Sequence, residues 1–284
     1  MEILEIHNLT KRYPTFTLED VSFSVKAGHI VGFIGRNGAG KTTTIKSILG
    51  WAKPNAGEVL FCDEDVNQNE TSFKNSIGIL LGAFDFYPTK TIRQMTEATK
   101  IFYENWDEHT YQNFLKEFGL DERKQIRDLS SGMQVKYGLA LALSHGARLL
   151  ILDEPTSGLD PVSRDELLDT FITLAKERGV AILFSTHVIS DLEKCADDII
   201  YIQKGKIIAN TDVETFKKGY IHISGPSEAC SSYRQLCFFV RDRLGHFEGV
   251  GLSKNRPEPK EGVEIRPASL EEIMIALERG DHDE

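Results

Sequence analysis

The sequence contains no run of eighteen apolar residues, so no segment reads as a membrane-spanning helix. Its most apolar stretch, Leu139 to Leu152, is interrupted by His145, Gly146 and Arg148. The start, Met1-Glu2-Ile3-Leu4-Glu5, lacks the basic cluster and apolar core of an export signal, which points to a chain kept in the cytoplasm. Cysteine is scarce, at Cys62, Cys195, Cys230 and Cys237, and no two form a C-x-x-C pair. Zinc binding and dithiol redox chemistry are therefore not expected, and the thiols read as reduced. Basic residues are in deficit, with 33 Lys and Arg against 43 Asp and Glu and a net charge of −10. That argues against nucleic acid as a main partner, because a phosphate backbone demands clustered Lys and Arg. It leaves room for a small anion in a local electropositive nest. Internal repeats and low-complexity segments are also missing. The remaining composition, 40% hydrophobic and 27% charged over 284 residues, is that of one large or two modest globular domains.

Against that background one stretch organises the chain. Gly35-Arg36-Asn37-Gly38-Ala39-Gly40-Lys41-Thr42 matches G-x-x-x-x-G-K-[ST] in full. Ile30 to Ile34 before it reads as a short buried strand, and Thr42 to Leu49 after it as a helix that stops at Gly50. This is the strand–loop–helix context a phosphate cradle needs. Glycines let backbone N–H groups turn inward, and the helix N-terminus adds positive partial charge. Lys41 is placed to reach the β- and γ-phosphates and the Thr42 hydroxyl to ligate Mg²⁺. The nucleotide-binding candidates are Gly35, Arg36, Asn37, Gly38, Ala39, Gly40, Lys41, Thr42 and Thr43.

Upstream, residues 3–9 and 18–25 read as strands with Lys11-Arg12-Tyr13-Pro14 as the turn. Tyr13 offers a flat face on which adenine could stack, or equally a ring for packing. Downstream, Glu58 to Phe61 and Ser76 to Leu81 read as strands, and Asp63-Glu64-Asp65 as a solvated loop. Residues 91–104 and 107–118 carry Ile92, Met95, Ala98, Phe102 and then Tyr111, Phe114, Leu115, Phe118 at helical spacing, which predicts two core-facing helices. Leu129 to Gln134 opens a further helix to about Ser144, with Ser130 or Ser131 as N-cap. Arg148 to Glu154 is a buried strand ending in two carboxylates. A strand-end Asp downstream of a phosphate loop is suited to Mg²⁺, and Glu154, one residue further, to taking a proton from an attacking water. Pro161 to Arg178 is a helix with Pro at its start. Val180 to Ser185 is a strand, and His187 lies at its C-terminal edge, where parallel sheets place ligands. Residues 198–202 and 206–209 form a hairpin. Beyond about residue 212 the character changes to a small α+β appendage with a helix from Ser269 to Leu277 and no chemistry-bearing motif.

Taken in order, Tyr13, the phosphate loop, Leu129-Ser130-Ser131-Gly132-Met133-Gln134, Asp153-Glu154, Gly158-Leu159-Asp160-Pro161 and His187 resemble the nucleotide-binding subunit of an ABC transporter over roughly residues 1 to 215. The conjunction is more specific than any member. The resemblance implies an α/β fold: a P-loop NTPase (RecA-like) core, an antiparallel β-subdomain and a short helical subdomain at about 85–145. Residues 1–215 would be the ATP-binding domain and 216–284 an accessory one. It implies ATP and Mg²⁺ as cofactors, with Thr42 and Asp153 on the metal, Glu154 and His187 catalytic, and Ser130, Ser131, Gly132 and Met133 capping the γ-phosphate of a partner subunit. Asp160 resembles the residue coupling the two sites of a head-to-tail dimer.

Two departures stand out. Ser131 and Met133 occupy positions usually held by glycine and glutamine in the signature. Gly82, with Asp85 nearby, stands where the family usually carries Gln or Glu. The helical insert and the ending Pro267 to Leu277 are similar to the ABC-2 type exporters of drugs, antibiotics and peptides. The implied partners are a separate membrane permease and a second ATPase subunit, identical or paralogous, on the cytoplasmic face of the membrane. Two other readings compete: a soluble ABC ATPase working on DNA or ribosomes, and an ATP-binding regulator with weak hydrolysis. Only about 90 residues separate the phosphate loop from the signature, with no sustained heptads, which weighs against the repair type.

Overall fold

A computed structural model describes residues 1–81 and 87–280, which fall into two compact units, Met1–Asn210 and Thr211–Glu284. Gly82 and Asp85 lie outside the described residues. In chain order, β1 (Glu2–Tyr13), β2 (Phe16–Lys26) and β3 (Ile30–Ile34) lead to α1 (Lys41–Ile48). Then come β4 (Ala56–Phe61), β5 (Glu64–Asp65), α2 (Glu70–Asn75) and β6 (Ile77–Leu81). The helices α3 (Ile92–Lys100), α4 (Glu108–Glu117) and α5 (Ser131–Ser144) precede β7 (Leu149–Asp153). Next are α6 (Pro161–Arg178), β8 (Ala181–Thr186), α7 (Ile189–Cys195), β9 (Asp198–Gln203) and β10 (Lys206–Asp212).

Two sheets build the first unit. The smaller has the order β2-β1-β4-β5, with β1 antiparallel to both β2 and β4. The larger has the order β10-β9-β3-β8-β7-β6, and β9, β3, β8, β7 and β6 run parallel. Every residue of β3 and β8 is buried, which is why their apolar residues run together rather than alternate, with polar Ser185 and Thr186 only at the end of β8. Leu4, Ile6 and Leu9 of the small sheet share a core with Val31, Phe33, Leu149 and Leu183 of the large one. The Lys11–Pro14 turn expected from sequence is shorter than that: Lys11 pairs with Leu18 and Tyr13 with Phe16, leaving Pro14-Thr15 as the loop. The polar Lys11 and Arg12 look like turn residues, but their ladder is reinforced from the side. Lys11 Nζ donates to the Lys53 carbonyl at 2.7 Å, and the Arg12 N–H to Asn55 Oδ1 at 2.8 Å.

Each helix of the helical part has a side-chain cap. Thr91 and Gln94 form a reciprocal capping box on α3. Asp107 accepts from the His109 and Thr110 N–H groups ahead of α4, and Ser130 from the Met133 N–H ahead of α5. Ile92, Tyr111, Leu115, Tyr137 and Leu141 form a separate small core. Ala98 and Phe102, expected in that core, are exposed, Phe102 by 74%, because α3 turns the face of Ile92 and Thr96 inward and ends at Lys100. At the centre, Thr96 Oγ1 lies 2.7 Å from the Tyr111 hydroxyl and 3.0 Å from that of Tyr137, all three side chains being buried.

The second unit holds α8 (Val213–Lys218), β11 (Tyr220–Pro226), α9 (Cys230–Tyr233), β12 (Cys237–Arg243), β13 (His246–Leu252), β14 (Glu264–Pro267) and α10 (Leu270–Gly280). Its sheet is antiparallel in the order β12-β13-β11-β14. Ile221, Ile223, Tyr233 and Phe247 lie at its core. Arg266 grips Glu272 with two nitrogens, at 2.9 and 2.5 Å, and Ser269 and Glu272 cap the start of α10 reciprocally. The Arg266 hydrogen bonds hold the Glu272 carboxyl down at about 2. Burial lowers the pKa of the neighbouring His222, whose Nε2 is 3.5 Å from Glu272 Oε1.

Thr96→Val removes the hydroxyl shared by two buried phenols and is expected to cost about 1–3 kcal/mol, read as a lower midpoint in chemical denaturation. Acid is expected to destabilise the second unit. Both His222 and Glu272 bind protons less readily folded than unfolded, so stability falls as pH drops below the ordinary histidine value of 6.5. It falls further from 4.5 towards 2 as Glu272 protonates. A pH series of melts that followed β12–β14 by hydrogen exchange would check the sign.

Candidate functional site

The loop after β3 turns where a side chain would not fit. A Cβ on Gly35 would lie 2.3 Å from the Ile202 carbonyl oxygen. Gly40 has φ 122°, and a Cβ there would lie 3.0–3.2 Å from the side chains of Ile202, Leu18 and Phe16. Gly40 is also the N-cap of α1 and supplies no side-chain cap, so the first N–H groups of that helix face outward for an anion. Lys41, 6% exposed, folds back over the loop. Its ammonium donates to the Gly35 carbonyl at 2.6 Å and lies 3.9 Å from Glu154 Oε1.

The loop and the start of α1 border a cavity of about 740 Å³. Tyr13, Pro14, Thr15 and Phe16 form one wall, Arg36, Asn37, Gly38, Gly40, Lys41, Thr42 and Thr43 the floor, and Asp153 and Glu154 the far side. Gly35 and Ala39 are buried behind that surface. Tyr13 is 42% exposed, with Lys11 Nζ 5.3 Å from its ring centroid, so its ring is a wall of the cavity and not a core residue.

Adjacent parallel strands assemble the far side. Asp153 pairs in register with Ser185 of β8, and Thr186 with Ile34 of β3. Thr42 Oγ1 donates to Asp153 Oδ2 at 3.1 Å, and Ser185 Oγ donates to the other carboxylate oxygen. Glu154 leaves the strand with φ 54°, a strained value for a residue with a side chain. Its N–H is held by both the carbonyl and the hydroxyl of Ser185, at 3.1 and 3.0 Å. The Glu154 side chain then meets His187, Nδ1 to Oε2 at 2.5 Å. Ser185 was not singled out from sequence, since only strand register brings a serine 32 residues away onto Asp153.

The signature residues lie elsewhere. Ser130, Ser131, Gly132, Met133 and Asp160 are not among the residues that line this cavity. Gly132 packs on Ser163, where a Cβ would be 3.4 Å from that side chain. Asp160 caps α6, accepting from the N–H groups of Val162 and Ser163 and from Ser163 Oγ at 2.6 Å. Those hydrogen bonds, the serine hydroxyl first, lower its pKa. Among the described residues, no group of three or more His, Cys, Asp or Glu side chains could hold a metal alone. The cavity offers instead two hard oxygen ligands, on Thr42 and Asp153.

Comparison with known proteins bears on this geometry. The sequence pattern of the family described as ABC transporter matches residues 18–157. The chain is 32% identical to the ABC transporter ATP-binding protein YhcH of Bacillus subtilis, over 93% of its own length and 87% of that protein. This chain belongs to the ATP-binding proteins of ABC transporters. It is also 35% identical to the bacitracin transport ATP-binding protein BcrA of Bacillus licheniformis, covering 76% of this chain and 72% of that one. A solved ATP-binding subunit of an ABC transporter superposes with a TM-score of 0.68 at 28% identity, over 76% of this chain and 92% of that structure. The P-loop NTPase fold, ATP binding and ATPase activity follow from membership. No helix among the described residues is long and apolar enough to cross a membrane, and ABC ATP-binding subunits pair with a membrane permease and dimerise.

Gly35→Ala drives a methyl group into the Ile202 carbonyl. It is expected to weaken ATP binding by about tenfold or more, since tenfold is only about 1.4 kcal/mol, in a fluorescent-nucleotide titration of the ABC subunit.

Proposed function

We propose that this ATPase powers export of peptides, antimicrobials or drugs through a separately encoded permease, docked on the cytoplasmic face of the membrane. Two ATP-binding domains, here residues 1–215, would close head-to-tail around two nucleotides, with residues 216–284 as an accessory domain. The likeness to a bacitracin transport ATP-binding protein supports the exporter assignment.

Within one domain, Tyr13 stacks on the adenine, and Gly35 to Thr43 hold the phosphates. Thr42 and Asp153 hold Mg²⁺. Two protein oxygens suit this ion, which takes one or two carboxylates and fills the remaining positions with phosphate and water. When bound it neutralises charge on the β- and γ-phosphate oxygens. Glu154 accepts the proton of the attacking water, and His187 organises the γ-phosphate and the glutamate. Ser130 to Met133 cap the γ-phosphate held by the second subunit, and Asp160 couples the two sites. The observation that carries the reading is the convergence of a carboxylate, an ammonium and an imidazole at the cavity edge. Glu154 lies 2.5 Å from His187 and 3.9 Å from the buried Lys41 ammonium. A carboxylate placed there can take a proton while its neighbours hold negative charge.

Glu154→Gln keeps the shape and removes the base. Turnover is expected to fall about 10²–10⁴-fold with ATP affinity retained, measured by steady-state hydrolysis beside equilibrium nucleotide binding. Near-normal hydrolysis by this variant would remove Glu154 from the chemistry.

A further inference from the structure

We propose that Asp191 is a positioning residue for hydrolysis, a buried clasp that fixes the segments carrying Glu154, Asp160 and His187 relative to one another. The inference rests on the reading of Glu154 and His187 given above and adds a residue to it. Asp191 lies in the first turn of α7 and is fully buried. One of its carboxylate oxygens, Oδ2, accepts from Thr156 Oγ1 at 2.6 Å and from Thr186 Oγ1 at 3.4 Å. The other, Oδ1, lies 3.8 Å from Arg164 Nε, and neither of these two atoms has a hydrogen-bond partner.

The three partners are informative by where they sit. Thr156 follows Glu154 by two residues and opens the segment that ends at Asp160. Arg164 lies in the first turn of α6, just past Asp160. Thr186 immediately precedes His187, and its hydroxyl accepts from the Val188 N–H at 2.9 Å, which sets the chain direction after the histidine. One carboxylate thus meets both ends of the segment bearing Asp160 and the root of His187. The Thr156 and Thr186 side chains are themselves fully buried. None of these four side chains lines the cavity.

Stability alone is a poor reason for this arrangement. A buried carboxylate with one short hydrogen bond, facing an arginine Nε at 3.8 Å that it does not hydrogen-bond, is costly to desolvate, and packed apolar side chains are often as stable. What a carboxylate does here is hydrogen-bond the segments of Thr156 and Thr186 and hold a third, through Arg164, by charge alone. The orientation of Glu154 and His187 depends on two of those segments, and a displacement of about 1 Å in such groups costs up to about 10²-fold in rate.

The test uses the full-length chain and Mg-ATP. Thr156→Val keeps volume and removes the donor to Asp191. It is expected to lower kcat by about 10- to 100-fold while KM and equilibrium ATP affinity stay within about twofold. Thr156→Ser, which restores the hydroxyl, is expected to return kcat to within about threefold of the parent. Should the valine variant not fold, Arg164→Gln at the partly exposed end of the clasp is expected to lower kcat with KM unchanged. A folded Thr156→Val protein with parental kcat, a serine variant no better than valine, or a parental kcat in Arg164→Gln would each overturn the proposal. Glu154→Gln is measured beside them. If that variant keeps its turnover, the underlying reading fails. If it loses turnover while Thr156→Val does not, only the role of Asp191 falls.

Discussion

A buried cation sets the terms for the rest of the site. The Lys41 ammonium sits almost wholly out of water, and an ammonium there is tolerated only where oxygen atoms surround it. The Gly35 carbonyl supplies the short contact and Arg36 a longer one at 3.4 Å, so the loop must curl back over the first residue of α1. That curl requires glycine at 35, where the backbone passes Ile202, and at 40, where φ is positive. It also leaves the helix start uncapped and brings Glu154 to within 3.9 Å of the ammonium. An anion arriving at the loop meets a positive charge, open N–H groups and a helix dipole already oriented, so little reorganisation opposes binding.

The large sheet does the second part of the work through its strand order. β8 lies between β3 and β7, although it follows both in the chain. The phosphate loop leaves β3, the carboxylate pair leaves β7, and β8 ends between them with Ser185 and His187. Register then decides the contacts: Ser185 opposite Asp153 anchors both acids, and His187, two residues on, reaches Glu154. Parallel neighbours end at the same edge of a sheet, which is why ligands gather there.

The parts legible in sequence were those with local causes. The phosphate loop is a single eight-residue pattern, Asp153-Glu154 ends a run of buried aliphatics, and Pro161 and Arg178 bound α6 as proline and helix-end charge predict. Ser185, Thr156, Arg164 and Asp191 were invisible because each acts through strand register or helix packing over tens of residues. Lys11, Arg12 and Pro14 make Tyr13 read as a turn residue, whereas the ladder to β2 and side-chain hydrogen bonds extend β1 through it. The second unit showed its class but not its strands. Gly249 and Gly251 of β13 break the apolar alternation, and both are needed where the strand passes close to Leu236 and Cys237, since a Cβ on either would lie within 3 Å of those residues.

The signature segment illustrates what one chain can and cannot bring together. Gly132 packs on Ser163, and Ser163 donates to Asp160, so the turn that starts α5 and the segment that starts α6 form one continuous surface, apart from the cavity. Ser130 spends its hydroxyl on the Met133 N–H, so the start of α5 is already fixed. Replacing glycine by Ser131 leaves Gly132 as the small residue that permits this packing. Any second subunit that met Ser130 and Gly132 would therefore meet Asp160 in the same contact, and Asp160 is tied through α6 and Arg164 to the carboxylate that also holds Thr156 and Thr186. Ser131 and Met133 therefore leave in place Gly132, the small residue on which the packing against Ser163 depends.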